Sequence, residues 1–272
     1  MRIRISHTTD YTYDRPTRSI LQVLRLTPRS HEGQHVVNWT VEADSDIRLR
    51  LGEDAHGNLT HTLSTDKPLL GLSIYVSGEV RTADTAGVVA GAADRLPPPI
   101  YLRGTPLTAA DEALRALGDR VAEEAGTDPL NRLHVLNTIL NEEMAFETGT
   151  TEVTGTAAEA FAQKRGVCQD LTHIFLATAR RLNIPARYVS GHLVRDDGTV
   201  EQEAGHAWAE ALAPGLGWVG FDPTNGICAS PGHVRVAVGL DYLDAAPIRG
   251  ARSGGGEETM AVKLRVGEAA QQ

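Results

Sequence analysis

From Arg2 to about Thr82 the chain alternates apolar and polar residues in short runs, such as Val36–Val41 and Leu72–Val80, and turn-forming residues interrupt them at Asp54–Asn58 and Asp66–Pro68. Successive side chains on a strand point to opposite faces, so a period of two marks strands with one face buried and one wet. An all-β module is therefore predicted over residues 1–82. Residues 83–107 are rich in Ala, Gly and Pro, including Pro97-Pro98-Pro99, and have no sustained period, which predicts a linker. At Thr108 the period changes. Thr108 followed by Asp111 and Glu112 has the composition of a helix start, and Leu114, Leu117 and Val121 share one helical face. A second helix is predicted near Pro129–Met144 on the stripe Leu133, Leu136, Ile139 and Leu140, and a short one at Ala157–Gln163. A longer helix follows Gly166, with Leu171, Ile174, Phe175 and Leu182 at helical spacing, until Asn183 and Pro185 stop it.

Beyond Pro185 the pattern returns to strands at Tyr188–Val194, His206–Leu212 and Trp218–Phe221, separated by turns at Asp196-Asp197-Gly198 and Pro214-Gly215. Ser253–Gly256 reads as flexible, and Met260, Val262, Leu264 and Val266 alternate as a last strand. The predicted fold class is α+β: a β-rich N-terminal domain (1–82), a linker (83–107), a core of helices on an antiparallel sheet (108–250), and a flexible segment with a final strand (251–272). There is no internal repeat and no heptad.

Composition narrows the function classes. Apolar residues make up 41% and charged residues 22% of the 272, the balance of an ordinary soluble protein. No apolar run approaches the ~20 residues of a membrane span, and the opening MRIRISHTTDYTYDRP never reaches a secretory apolar stretch, so a cytoplasmic location and no membrane partner are expected. The net charge is −9 with no basic stripe, which argues against nucleic acid and anionic membrane surfaces and leaves neutral or cationic substrates. Two cysteines, Cys168 and Cys228, are too few for a disulfide scaffold and are expected as thiols. Ten histidines raise the question of zinc, but no C-x-x-C or H-E-x-x-H spacing occurs, nor an EF-hand loop for calcium, so neither a metal nor a cofactor is expected.

Three positions carry chemistry. Cys168 stands at the start of the long helix, where unpaired N–H groups and the helix dipole favour a thiolate and offer an oxyanion-binding N–H; a lone cysteine also serves often as a small buried hydrophobe. His206 opens a strand in GHAWAE, with His206, Trp208 and Glu210 on one face and Ala207, Ala209 and Ala211 on the other. The alanine face allows close packing against a helix, while the His–Trp face has the composition of a groove wall, or of an ordinary solvated surface. Asp222 ends the next strand before Pro223 and Asn225-Gly226, where it could equally cap a turn. Together the three gain meaning, because antiparallel pairing sets the start of one strand beside the end of the next and so lets His206 meet Asp222. A helix packed with its N-terminus toward them brings Cys168 to the imidazole, the arrangement of nucleophile, base and orienting residue. His173 lies five residues after Cys168 and points roughly 140° away from it around the helix, which makes it a poor alternative base. Cys228, six residues past Asp222, is open as a redox partner of Cys168 or as an unreactive thiol.

The segments RGVCQD, IPARYVSG, GHAWAE and GWVGFDPTNG, in that order, closely resemble the transglutaminase-like core, whose fold is related to that of papain-like cysteine proteases. HTTDYTYDRP, LRLTP and DAHGN resemble the β-rich N-terminal domain of a bacterial subfamily, and HVRVAVGLDYLDAAPIRG also resembles that subfamily, so the likeness spans nearly the whole chain. The resemblance implies a papain-like catalytic core with Cys168, His206 and Asp222 at the positions of the triad. Gln169 and Asp170 fall in the same motif, as braces of the helix start or groove residues, and Trp208 as a groove wall or a core residue. The implied reaction is thiolate attack on a carboxamide or peptide carbonyl and a thioester acyl-enzyme. Release to water makes a peptidase or amidase and release to an amine a transamidase, the bacterial likeness favouring hydrolysis or limited transfer on a peptide or protein. The alternative is a catalytically silent binding or assembly protein on the same fold.

Overall fold

The computed structural model describes residues 1–44, 47–148 and 155–269. Its N-terminal half is two facing antiparallel sheets. One has five strands in the order 201–202, 258–268, 2–13, 71–82, 34–43, and the other four in the order 248–254, 17–27, 59–65, 50–53. The first strand shows why the pattern works: Ile3, Ile5, His7, Thr9, Tyr11 and Tyr13 are buried in strict alternation with more exposed neighbours. Its Tyr11–Tyr13 end packs with Ile20, Leu24, Leu63, Leu72 and Ile74 between the sheets. Its Ile3–Ile5 end packs with Val80, Leu264, Val266 and Val234, the last from the second half of the chain.

The second half carries helices α1 (Glu112–Ala125), α2 (Pro129–Glu143), α3 (Ala157–Gln163) and α4 (Cys168–Arg181) over an antiparallel sheet ordered 227–228, 217–222, 206–213, 186–193, 233–239. α4 is central. The sequence predicts a stripe, yet every residue from Asp170 to Arg180 is buried, because the other helices enclose the side away from the sheet. Leu171, Ile174, Phe175 and Leu176 each exclude water almost completely, and burying such a side chain contributes roughly 1.5–3 kcal/mol. The body of the helix therefore fixes where its first residue, Cys168, must lie. Ala207, Ala209 and Ala211 form the sheet face in that core, as their small size predicts.

Four expectations change. Thr108 does not cap α1: Asp111 does, accepting from the Leu114 N–H at 2.9 Å, while Thr108 closes a turn with Thr105 and accepts from Arg180 at 2.9 Å. Residues 83–107 are packed rather than loose. Val88–Val89 pairs with the 217–222 strand, and Tyr101 is buried with its carbonyl bonded to Arg180. The Ser253–Gly256 stretch is a turn between strands: Gly254, Gly255 and Gly256 all adopt positive φ, which only glycine takes without strain, and lead one strand directly into the next. Finally, the C-terminal residues return to the first half. Ile248–Gly254 pairs with Thr17–Thr27, and Glu258–Glu268 pairs along the whole first strand, from Ile3↔Glu268 to Tyr13↔Glu258.

The halves are joined by two side-chain clamps on strand 233–239, the edge of the second sheet. Gln34 donates to the Arg235 carbonyl (2.9 Å) and accepts its N–H (2.8 Å), and Asn58 does the same at Val238 (2.7 and 2.8 Å). Each amide takes the place of a neighbouring strand, satisfying backbone groups that burial would otherwise leave unpaired.

Candidate active site

Cys168 is the first residue of α4, and Val167 before it has no side chain that can cap the helix. Asp170 does the work from inside: its Oδ2 accepts the Val167 N–H at 2.8 Å. Glycine is required at 166, because a Cβ there would come within 2.7 Å of the Asp170 side chain. The run Gly166-Val167-Cys168-Gln169-Asp170 is thus a self-bracing helix start, with Asp170 buried and Cys168 and Gln169 partly exposed. The Cys168 carbonyl accepts from Thr172 Oγ1 at 2.7 Å.

His206 and Asp222 come from adjacent antiparallel strands in the register Ala209↔Phe221. His206 Nε2 lies 2.7 Å from Asp222 Oδ2. The carboxylate is fully buried and takes five donors. Oδ1 accepts the N–H groups of Thr224 (3.1 Å) and Asn225 (3.3 Å), while Oδ2 accepts Asn225 Nδ2 (2.6 Å), His206 Nε2 and His233 Nε2 (3.0 Å). Burial alone would raise the Asp222 carboxyl, but the bonds from His206 and His233 hold it well below the usual carboxylate range. Burial likewise opposes charge on His206, yet the hydrogen bonds with Asp222 and Cys168 outweigh it and push the imidazole up to about 10. Nε2 is committed to Asp222, so Nδ1 is the nitrogen that faces the Cys168 sulfur. The imidazole therefore stands between thiol and carboxylate in surroundings that favour its cationic form. Cysteine nucleophiles act as thiolates, and a neighbouring imidazolium is one of the features that stabilise one.

His233 is the member the sequence reading did not single out. It begins the strand after Pro231-Gly232, much as His206 begins its own after Gly205, and a second histidine at a strand start was the available signal. Trp208 is 2% exposed, which fits the core role of the two expected: it stacks on His206 (6.1 Å between rings, 26°) and meets His233 edge-on (5.0 Å, 78°). Glu210, on the same face, is wholly buried. Its oxygens accept from Arg187 Nε and Arg235 Nε at 2.6 Å each, and Arg187 also reaches Asp94 at 2.6 Å. Burial by itself would raise Glu210, but Arg235 and Arg187 bring it down to about 2. The expected groove face is therefore, past His206, an interior covered by residue 94 of the connecting segment and by the Gln34 strand. His173 is a core residue that accepts the Tyr242 N–H at 3.1 Å, and burial pushes it down to about 3. Cys228 sits opposite Phe221 as a free thiol that burial pushes up.

The nitrogens and oxygen of His206, Asp222 and His233 lie within 4.8 Å of one another and are metal-ligating types. Their geometry is that of a hydrogen-bonded chain, since the oxygen facing both histidines also takes Asn225.

A partly exposed cysteine at the start of a buried helix, packed on an antiparallel sheet that supplies a histidine and an aspartate, is the framework of the papain-like enzymes. The description "Transglutaminase-like superfamily" matches residues 115–223, and "Bacterial transglutaminase-like N-terminal region" matches residues 3–81. The chain belongs to the transglutaminase-like superfamily, with the N-terminal region of its bacterial branch. It is 30% identical over 279 residues to an uncharacterized protein of Mycobacterium leprae, covering 97% of this chain and 98% of that one. An uncharacterized protein of Mycobacterium tuberculosis is 28% identical over 286 residues, covering 92% and 87%. Among solved structures, a proposed cysteine protease of Cytophaga hutchinsonii shares the fold, with a TM-score of 0.76 at 18% identity over 100% of this chain and 92% of that one. No helix among the described residues is long and apolar enough to cross a membrane.

Proposed function

We propose that the protein is a cysteine-dependent acyl-transfer enzyme that opens a carboxamide or peptide bond through a thioester on Cys168. The observation that carries this reading is His206 standing between Cys168 and a buried Asp222 whose oxygens are both saturated with donors. The thiolate attacks the carbonyl carbon, and the negative charge that develops on oxygen is met by the Cys168 backbone N–H at the start of α4. His206 Nδ1 gives its proton to the departing nitrogen, the C–N bond breaks, and the thioester remains. His206, now neutral, takes a proton from the incoming water or amine as that attacks the thioester, and the thiolate leaves. Asp222 holds the ring with Nε2–H inward, so that Nδ1 does both transfers. In this reading Gln169, partly exposed beside Cys168, contacts the substrate, while Asp170 and Trp208 support the helix start and the imidazole.

Hydrolysis of a peptide or protein amide is the favoured outcome, transfer to an amine the variant of the same chemistry. The test is a screen for ammonia release from glutamine-containing peptides beside free-amine release from a peptide library. Turnover present in the natural protein and absent from Cys168→Ser supports the reading, and turnover retained in that variant removes Cys168 from the reaction.

A further inference from the structure

We propose that His233 is a positioning residue for the Cys168–His206 pair, seated by the N-terminal domain, a role that rests on the acyl-transfer reading above. A carboxylate only accepts hydrogen bonds, so both histidines on Asp222 Oδ2 must present a proton from Nε2. His233 is held in that tautomer from its other side: the Ser230 backbone N–H, which can only donate, points at Nδ1 from 3.0 Å. Nδ1 is therefore the acceptor and Nε2 the donor. His233 has no lone pair facing the site and does not compete with His206 as a base.

What it supplies is direction. Asp222 could turn about its side-chain bonds, and a carboxylate that turned would release His206. His233 and Asn225 bind the same oxygen that His206 uses, and the two backbone N–H groups bind the other, so that the free positions of the carboxylate are filled in the orientation facing His206. Trp208 lies against both rings and blocks their rotation.

The residues around His233 are fixed from outside the catalytic half. Thr82 Oγ1 donates to the Pro231 carbonyl at 2.6 Å, two residues before it, and Gln34 clamps both backbone groups of Arg235, two residues after it. Both belong to the N-terminal sheet. The β-rich domain thereby reaches the catalytic pair through Gln34, the 231–235 backbone, His233 and Asp222.

Two substitutions in the full chain separate the parts. An asparagine can keep the acceptor for the Ser230 N–H but is too short to donate to Asp222, whereas a glutamine can still donate to Asp222. The readout is the titration of the His206 ring followed by ¹⁵N-histidine NMR, which needs no substrate, together with kcat and KM. His233→Asn is expected to lower the His206 midpoint by at least about one pH unit, and kcat by about tenfold with KM held within about threefold, the scale of losing one hydrogen bond to a charged group. His233→Gln is expected to restore most of both. Gln34→Ala, which touches no residue of the pair, is expected to lower the midpoint in the same direction by less. A folded His233→Asn protein with the natural midpoint and kcat overturns the proposal, as does a His233→Gln protein no better than the asparagine variant. If neither folds, an unchanged midpoint in Gln34→Ala overturns it. Failure of the acyl-transfer reading looks different: the midpoints shift as described, but no amide is turned over by the natural protein.

Discussion

Replacing Asp222 by asparagine keeps the volume and removes the charge, and the five donors around the carboxylate make its effect calculable. With the new amide nitrogen at the Oδ2 position it faces His206, His233 and Asn225, three donors; turned over, it faces the backbone N–H groups of Thr224 and Asn225. The second orientation displaces fewer bonds and leaves a carbonyl toward His206, so the ring keeps one hydrogen bond and loses its counter-charge. His206 should then fall from about 10 toward its ordinary value of 6.5, retaining only the share due to Cys168. The upper limb of the pH–kcat/KM profile should move down by roughly one to three units, and turnover at neutral pH by roughly ten- to a thousand-fold, below the ~10⁴ of a serine triad because sulfur is a better nucleophile than a hydroxyl and depends less on the third residue. Stability follows the same sign. A histidine raised in the folded state stabilises it fully below pH 6.5 and progressively less up to about pH 10, so the natural protein should lose stability across that window and Asp222→Asn should lose less. The assays are a pH–rate profile and urea unfolding at pH 6 and 10. A folded variant with unchanged turnover and an unchanged upper limb would make Asp222 a turn residue and refute the reasoning.

Cys168→Ser should abolish turnover without altering the circular dichroism or the melting temperature, since oxygen is nearly the same size and a far weaker nucleophile in an unmodified site. Cys228→Ser should keep most activity, and a large loss there would point to a thiol pair instead. Glu210→Ala should cost about 3–5 kcal/mol in urea unfolding, because Arg187 and Arg235 would be left as uncompensated charges, Arg187 with a side chain only 1% exposed. A cost below about 1 kcal/mol would mean that Asp94 and solvent suffice for both arginines.

Local features were readable wherever the pattern and the packing depend on neighbours in sequence. The stripes of α1 and α2, the alanine face of the 206–213 strand, and the places of Cys168, His206 and Asp222 at element ends all follow from periods and turn residues. What the sequence hid depends on partners far along the chain. The burial of Glu210 requires Arg187, Arg235 and Asp94 to converge from three segments, and the enclosure of α4 on every side depends on how the other helices stack. Gly254-Gly255-Gly256 has the composition of a flexible linker, and only pairing with the first two long strands makes it a turn between strands. His233 escaped notice for the same reason, because nothing in HVRVAVG says that its strand runs beside 186–193 with its first residue at Asp222.

The central claim is that His206 and Cys168 act as a pair, and iodoacetamide labelling of the two thiols at pH 7, resolved by peptide mass spectrometry, tests it without a substrate. Cys168 should be alkylated at least about tenfold faster than Cys228, whose thiol burial pushes up, and His206→Gln should remove that lead. Equal slow labelling of both cysteines, or a Cys168 rate untouched by His206→Gln, would contradict the pairing and with it the catalytic reading of the site.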